Sequence, residues 1–137
     1  MHSEGAELNG VRLCYENSTS HAVFEAVARG VGAFHGICHD VGHQSCYTPQ
    51  ENYENRFGSR IAYTHLHDNL GIGGGDLHLL PGDGIIDFPS YFDALRAVGY
   101  KGTFNLELSC YHRAEYKEMT FESFVRLAYE RLVALTK

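Results

Sequence analysis

No apolar run in this 137-residue sequence approaches the ~20 residues needed to cross a bilayer, which predicts a chain with no membrane partner. The opening Met1 to Glu7 has neither a basic stretch nor an apolar core. No secretory leader is therefore expected, and the cytoplasm is the expected compartment. The four cysteines, Cys14, Cys38, Cys46 and Cys110, form no CxxC pair and no regular spacing. That disfavours a disulfide framework or a zinc ribbon and predicts reduced thiols. Positive charge is scarce: 11 Lys and Arg stand against 17 Asp and Glu, a formal net charge of -6. Nucleic-acid backbones are bound through basic side chains, so the expected partners are small substrates and divalent cations, with no nucleic acid. No linker or low-complexity stretch divides the chain. With 44% hydrophobic and 12% aromatic residues, 1–137 reads as one domain with its own core.

What is present is an alternation of short apolar runs and amphipathic stretches. Strands are expected at Val11 to Glu16, Ala33 to Cys38, Ile61 to Leu66 and Gly102 to Leu108. Helices are expected at His21 to Arg29, from Thr48-Pro49 to Phe57, at Pro89 to Val98 and at Phe121 to Leu135. Pro49 and Pro89 suit first-turn positions, and Gly30, Gly58 and Gly99 suit helix ends. Strand then helix, four times over, means parallel strands joined by right-handed crossovers.

The chemistry sits at the strand ends. The first strand ends on Glu16-Asn17 and the second runs into Asp40-Val41-Gly42-His43, where the glycine is expected to turn the chain and bring both side chains together. The third delivers His65, the glycine-rich loop after it carries Asp76 and His78, and the fourth ends at Glu107. His65, His67, Asp68, Asp76 and His78 all fall within fourteen positions. Any one of these has an ordinary explanation: a solvated strand-end Glu, or an Asp or His capping loop backbone. Four strands in succession, each ending on a carboxylate or imidazole, predict one shared site, because parallel α/β folds place their sites there. Two Glu, an Asp and one or more His suit a divalent ion of hard to borderline character: Mn, Mg, Co or Zn.

The run LCYEN, HDVGH, RIAYTHLHDN, GGDLHLLPGDGIIDF and GYKGTFNLEL resembles the xylose isomerase-like TIM barrels. That superfamily holds sugar phosphate isomerases and epimerases, inosose dehydratases and endonuclease IV. The resemblance implies that Glu16, Asp40, His65 and Glu107 bind the family's single divalent metal. It implies a substrate-side or second-metal role for His43, and it matches Asp76 and His78 to a pair that holds another zinc in the endonuclease branch. The implied chemistry is metal-assisted proton transfer on a sugar or polyol through an enediolate, with Glu16 and Glu107 as base and acid and His43 on a substrate oxygen. Tyr15, Tyr47, Tyr63 and His67 are expected to line the pocket, or simply to pack.

The matched region corresponds to strands five to eight alone, half of a (β/α)8 barrel that needs ~250 residues. An isolated half exposes two sheet edges and, with strands apolar on both faces, an apolar inner face. A homodimer or higher homo-oligomer that pairs half-barrels is therefore expected. Three function classes follow: a sugar isomerase or epimerase, a non-catalytic truncated metal-binding remnant, and an endonuclease IV-like repair enzyme. The last is disfavoured by net acidity and by zinc ligands that belong to the other half.

Overall fold

The computed structural model describes residues 2–137; Met1 lies outside the described residues. The chain folds as a half (β/α)8 barrel, four parallel strands in the order β1-β2-β3-β4, backed by helices. The elements are α1 (His2–Leu8), β1 (Cys14–Glu16), α2 (His21–Gly30), β2 (Gly36–Asp40), α3 (Val41–Tyr47), α4 (Tyr53–Phe57), β3 (Ile61–Leu66), α5 (Phe88–Ala97), β4 (Thr103–Leu106), α6 (Ala114–Lys117) and α7 (Phe121–Leu135). No helix among the described residues is long and apolar enough to cross a membrane.

Two elements, β3 and α7, coincide with the ranges expected from the sequence. Both have an unbroken pattern and clean ends: Thr120 caps α7 by accepting from the Ser123 N–H. Elsewhere the bounds move. β1 begins at Cys14, three residues after the expected start, and β2 spans Gly36–Asp40, two to three residues later than the apolar run implied. Pro49 lies outside any helix. Asn52 opens α4 instead, its side chain accepting from the Asn55 N–H, and Gly58 at φ 42° ends it. Helices α1, α3 and α6 were not foreseen. Glycine hides α3, since Gly42 sits in its first turn and weakens any helical reading of the sequence. Asp40 supplies the missing start signal, with its Oδ1 accepting from the His43 N–H at 2.7 Å.

The core lies between the sheet and its helices. Phe24 and Ala28 of α2, Ile37 of β2, Leu66 of β3, Tyr53 of α4 and Phe88, Phe92 and Leu95 of α5 pack there, with Phe104 and Leu106 of β4 against them. Strand alternation turns Glu16, Cys38, Tyr63, His65 and Asn105 to the opposite, inner face. With Glu16, His65 and Asn105 on it, that face is more polar than expected; β2 is buried along its whole length, and β1 and β4 are part exposed. A second apolar cluster, Leu79, Leu80, Tyr116, Phe124 and Ala128, anchors the long loop 67–87 beside α6 and α7.

Candidate metal centre

Parallel register brings the strand ends level. Asp40 pairs with His65 and Glu16 with Cys38. Asn17, just past β1, clamps the end of β2 twice: its Oδ1 accepts from the Asp40 N–H and its Nδ2 donates to the Asp40 carbonyl, each at 2.8 Å. Ligand atoms of Glu16, Asp40, His65 and Glu107 then all lie within 4.8 Å of one another. His65 Nδ1 is 2.8 Å from Glu107 Oε2, 3.4 Å from Glu16 Oε2 and 3.7 Å from Asp40 Oδ2.

A second cluster lies beside the first. Ligand atoms of His43, His67, Asp76 and His78 also gather within 4.8 Å. His43 Nε2 is 3.0 Å from Asp76 Oδ2, and His78 Nε2 is 3.4 Å from Asp76 Oδ1. The His67 and His78 rings stack at 3.9 Å. His67 is fully buried, so the residue expected only to line a pocket stands at the heart of this cluster. In extended backbone its two-residue spacing from His65 would put both rings on one face. The strand ends at Leu66, so His65 and His67 diverge, one to each cluster.

Gly42 explains how His67 fits. A Cβ at position 42 would stand 2.0 Å from the His67 ring, so glycine is required here for close approach, not for the turn expected of it. Asp76 and His78 owe their positions to Asp68. Its Oδ1 accepts from Asn69 and Ile86 N–H groups and its Oδ2 from Gly82 and Gly84, all at 2.9 to 3.1 Å. A two-way backbone bridge joins Asp68 and Leu79, and His112 bonds the Leu77 carbonyl from the far side. His78 holds φ at 48°, unusual for a non-glycine residue, and is kept there by its Nδ1 contact with the Glu107 carbonyl at 2.9 Å.

The two clusters touch through Asp40 and His43. His67 Nε2 approaches Asp40 Oδ1 at 3.1 Å, and His43 Nδ1 lies 3.0 Å from Glu16 Oε1. Burial opposes charge on His43, yet the Glu16 hydrogen bond and the Asp40 and Asp76 charges push its pKa up to about 9. Burial would likewise raise the Asp40 carboxyl, but the His67 and His43 rings and the His43 N–H hold it below its ordinary value.

The donor set fits a divalent cation at each cluster. Among the described residues, eight buried side-chain nitrogen or oxygen atoms have no hydrogen-bond partner, and six belong to these residues. They are Asp40 Oδ2, His65 Nδ1, Glu107 Oε2, Asp76 Oδ1 and both ring nitrogens of His67. Orphaned buried polar atoms are costly, and convergent ones on carboxylates and imidazoles are what metal coordination satisfies.

The structure is similar to solved barrels. It superposes on the IOLI protein with a binding zinc atom at TM-score 0.78 and 24% identity, over 98% of this chain and 52% of that one. It also superposes on a D-tagatose 3-epimerase-like protein at TM-score 0.65 and 26% identity, over 95% of this chain and 52% of that one. In sequence it is 34% identical over 109 residues to the uncharacterized protein y4fM of Sinorhizobium fredii, covering 72% of this chain and 34% of that relative. The chain thus spans about half the length of these structures and a third of this relative. Residues 4–126 match the family description "Xylose isomerase-like TIM barrel", and the chain belongs to that family.

Proposed function

We propose that the chain is a divalent-metal-binding module of sugar isomerase or epimerase type, working by proton transfer through an enediolate. The observation that carries this is the convergence of Glu16, Asp40, His65 and Glu107 with unsatisfied buried atoms aimed at one point. The neighbour described as D-tagatose 3-epimerase-like favours a sugar or polyol as the substrate class.

A bound Mn, Mg, Co or Zn ion would supply polarisation of a substrate carbonyl and hold a neighbouring hydroxyl. The protein's own residues divide by exposure. The Asp40 side chain is 0% exposed and can only hold. Glu16 at 34% and Glu107 at 45% reach open space, so they are the pair able to meet a carbon-bound proton, one removing it and the other returning it. His43 has two exclusive roles open to it: with its raised pKa and its ring against Glu16 it can donate to a substrate oxygen, or, deprotonated, it can join the second cluster as a ligand. The neighbouring His43, His67, Asp76 and His78 set is richer in imidazole and suits zinc at a second position.

The test is exchange of the proton beside the carbonyl. Ketoses incubated with protein, D2O and each of Mn, Mg, Co or Zn should gain deuterium, and Glu107→Gln and Glu16→Gln should each abolish the gain. A protein that takes up no metal removes the reading. One that binds metal but never exchanges a ketose proton fits the second reading, a non-catalytic metal-binding remnant.

A further inference from the structure

On the outer side of the sheet, a groove of about 410 Å³ opens between α3 and α4 on one flank and α5 on the other. Its lining includes Val41, Pro49, Glu54, Ile86, Tyr91 and Ala94. None of the residues that line it lies on β1, β4, α2 or α7, the elements at the open edges of the sheet. Glu54 stands in the first turn of α4 and is only 6% exposed. A carboxylate so far removed from water is costly unless donors surround it.

The hydrogen bonds behind the groove supply none. Gln44 is oriented by its Nε2, which donates to the Glu51 carbonyl at 2.7 Å, so its Oε1 is the atom that meets His39. That oxygen can only accept, and His39 Nε2, 2.7 Å away, therefore carries the ring proton. His39 Nδ1 is left to accept from the Tyr91 hydroxyl at 3.4 Å. Glu54 Oε1 lies 3.7 Å from the same Nδ1, beyond hydrogen-bond length. It faces a lone pair rather than a proton. The His39 tautomer thus withholds the donor that a histidine beside a glutamate would ordinarily give.

We infer that this groove binds a primary alkylammonium, with its charge on Glu54 and its carbon stem along Val41, Pro49, Ile86 and Ala94. The Tyr91 hydroxyl, having given its proton to His39, keeps lone pairs for a second ammonium hydrogen. Asp87 on the groove's exposed rim adds charge of the same sign. A divalent metal would need more ligands than the groove holds, and Glu54 belongs to neither group of convergent metal-ligating side chains. Alternation along β2 turns His39 away from Cys38 and the inner face, so the groove and the metal centre lie on opposite sides of the sheet. Binding in the groove can therefore be measured without any metal or ketose, and either site can fail alone.

The test titrates n-butylammonium chloride into the purified chain, with 1-butanol as the neutral control of equal length. The ammonium should bind once by calorimetry and shift the amide signals of Glu54, Ser90 and Ala94 in nuclear magnetic resonance spectra, whereas the alcohol should not. Glu54→Gln should weaken the ammonium at least about 10-fold, because a charged acceptor is lost. It should also raise the unfolding midpoint in amine-free buffer, because a lone buried charge is removed. Ala94→Leu, which fills the groove and leaves the charge in place, should block binding as well. Equal binding of 1-butanol overturns the inference, as do shifts confined to Glu16 and Glu107 at the metal centre. So does an Ala94→Leu or Glu54→Gln protein that binds the ammonium as before. A Glu54→Gln protein that unfolds more readily than the native chain overturns it too, since Glu54 would then be paired within the protein.

Discussion

The two clusters are built from the same residue types in inverse proportion. Glu16, Asp40, His65 and Glu107 offer three carboxylates and one imidazole; His43, His67, Asp76 and His78 offer three imidazoles and one carboxylate. The first stands at the ends of four hydrogen-bonded strands, so its geometry is set by sheet register. The second draws one ligand from α3, one from just past β3 and two from a long loop, so its geometry depends on whatever holds that loop. Negative charge and rigidity favour a hard cation at the first; nitrogen donors favour zinc at the second. The scaffold of each is what experiment can separate.

The largest difference should come from Asp68→Ala. Four backbone N–H groups lose a charged acceptor, and hydrogen bonds to charged groups are worth about 1.5–3 kcal/mol each before relaxation. We expect a loss of about 4 kcal/mol in denaturant unfolding, with zinc uptake at the loop cluster gone and manganese uptake at the strand cluster retained. If both are lost together, the clusters are one unit. Glu107→Gln should do the reverse, weakening manganese binding by about 100-fold or more, since losing a carboxylate of the site itself costs at least as much as altering a supporting residue, while titrated zinc still binds once. Gly42→Ala should follow, at about 2 kcal/mol, because the new methyl must displace the buried His67 ring. Its zinc site should fail even where the fold survives.

The smallest effect concerns acid. Burial would raise the Asp83 carboxyl, but the Tyr116 hydroxyl and the Arg131 and Arg113 guanidinium groups hold it below its ordinary value. A depressed folded value adds stability above the unfolded pKa of ~3.9, lost as pH falls further through the folded value. Asp83→Asn should cost about 1.5 kcal/mol at neutral pH and flatten the acid limb of the unfolding curve below about pH 4. An unchanged acid limb would free this end of the loop from Asp83.

The strand cluster was legible in the sequence because its logic is periodic. A strand that ends on Glu16, Asp40, His65 or Glu107 marks a convergent side chain by position alone, and the four-unit alternation already implied parallel pairing. The loop cluster was only half legible. Asp76 and His78 stood out as a pair, but His67 belongs with them through a bend after Leu66 that no spacing reveals. Gly42 looked like a turn residue, since the ring it makes room for arrives from 25 positions away. The Asp68 role was equally hidden, for its partners are backbone N–H groups of an irregular loop and leave no side-chain signature. Helix α3 went unseen because its cap, Asp40, reads first as a candidate ligand, whereas its Oδ1 also accepts from the His43 N–H.

The strand order has a consequence for how the chain acquires its shape. Each strand pairs only with its neighbours in sequence, β1 with β2, β2 with β3 and β3 with β4. Growth of the sheet is therefore vectorial: a new βα unit docks on the edge left open by its predecessor, and no finished pairing has to open to admit a later strand. Contacts stay short in sequence, which speeds folding relative to sheets whose order is scrambled. A ribosome delivering ~5–20 residues each second releases a βα unit every few seconds, ample time for docking. Glu107 arrives last, so the four-residue centre is assembled only when β4 has taken its place, and cation binding would report completion of the sheet.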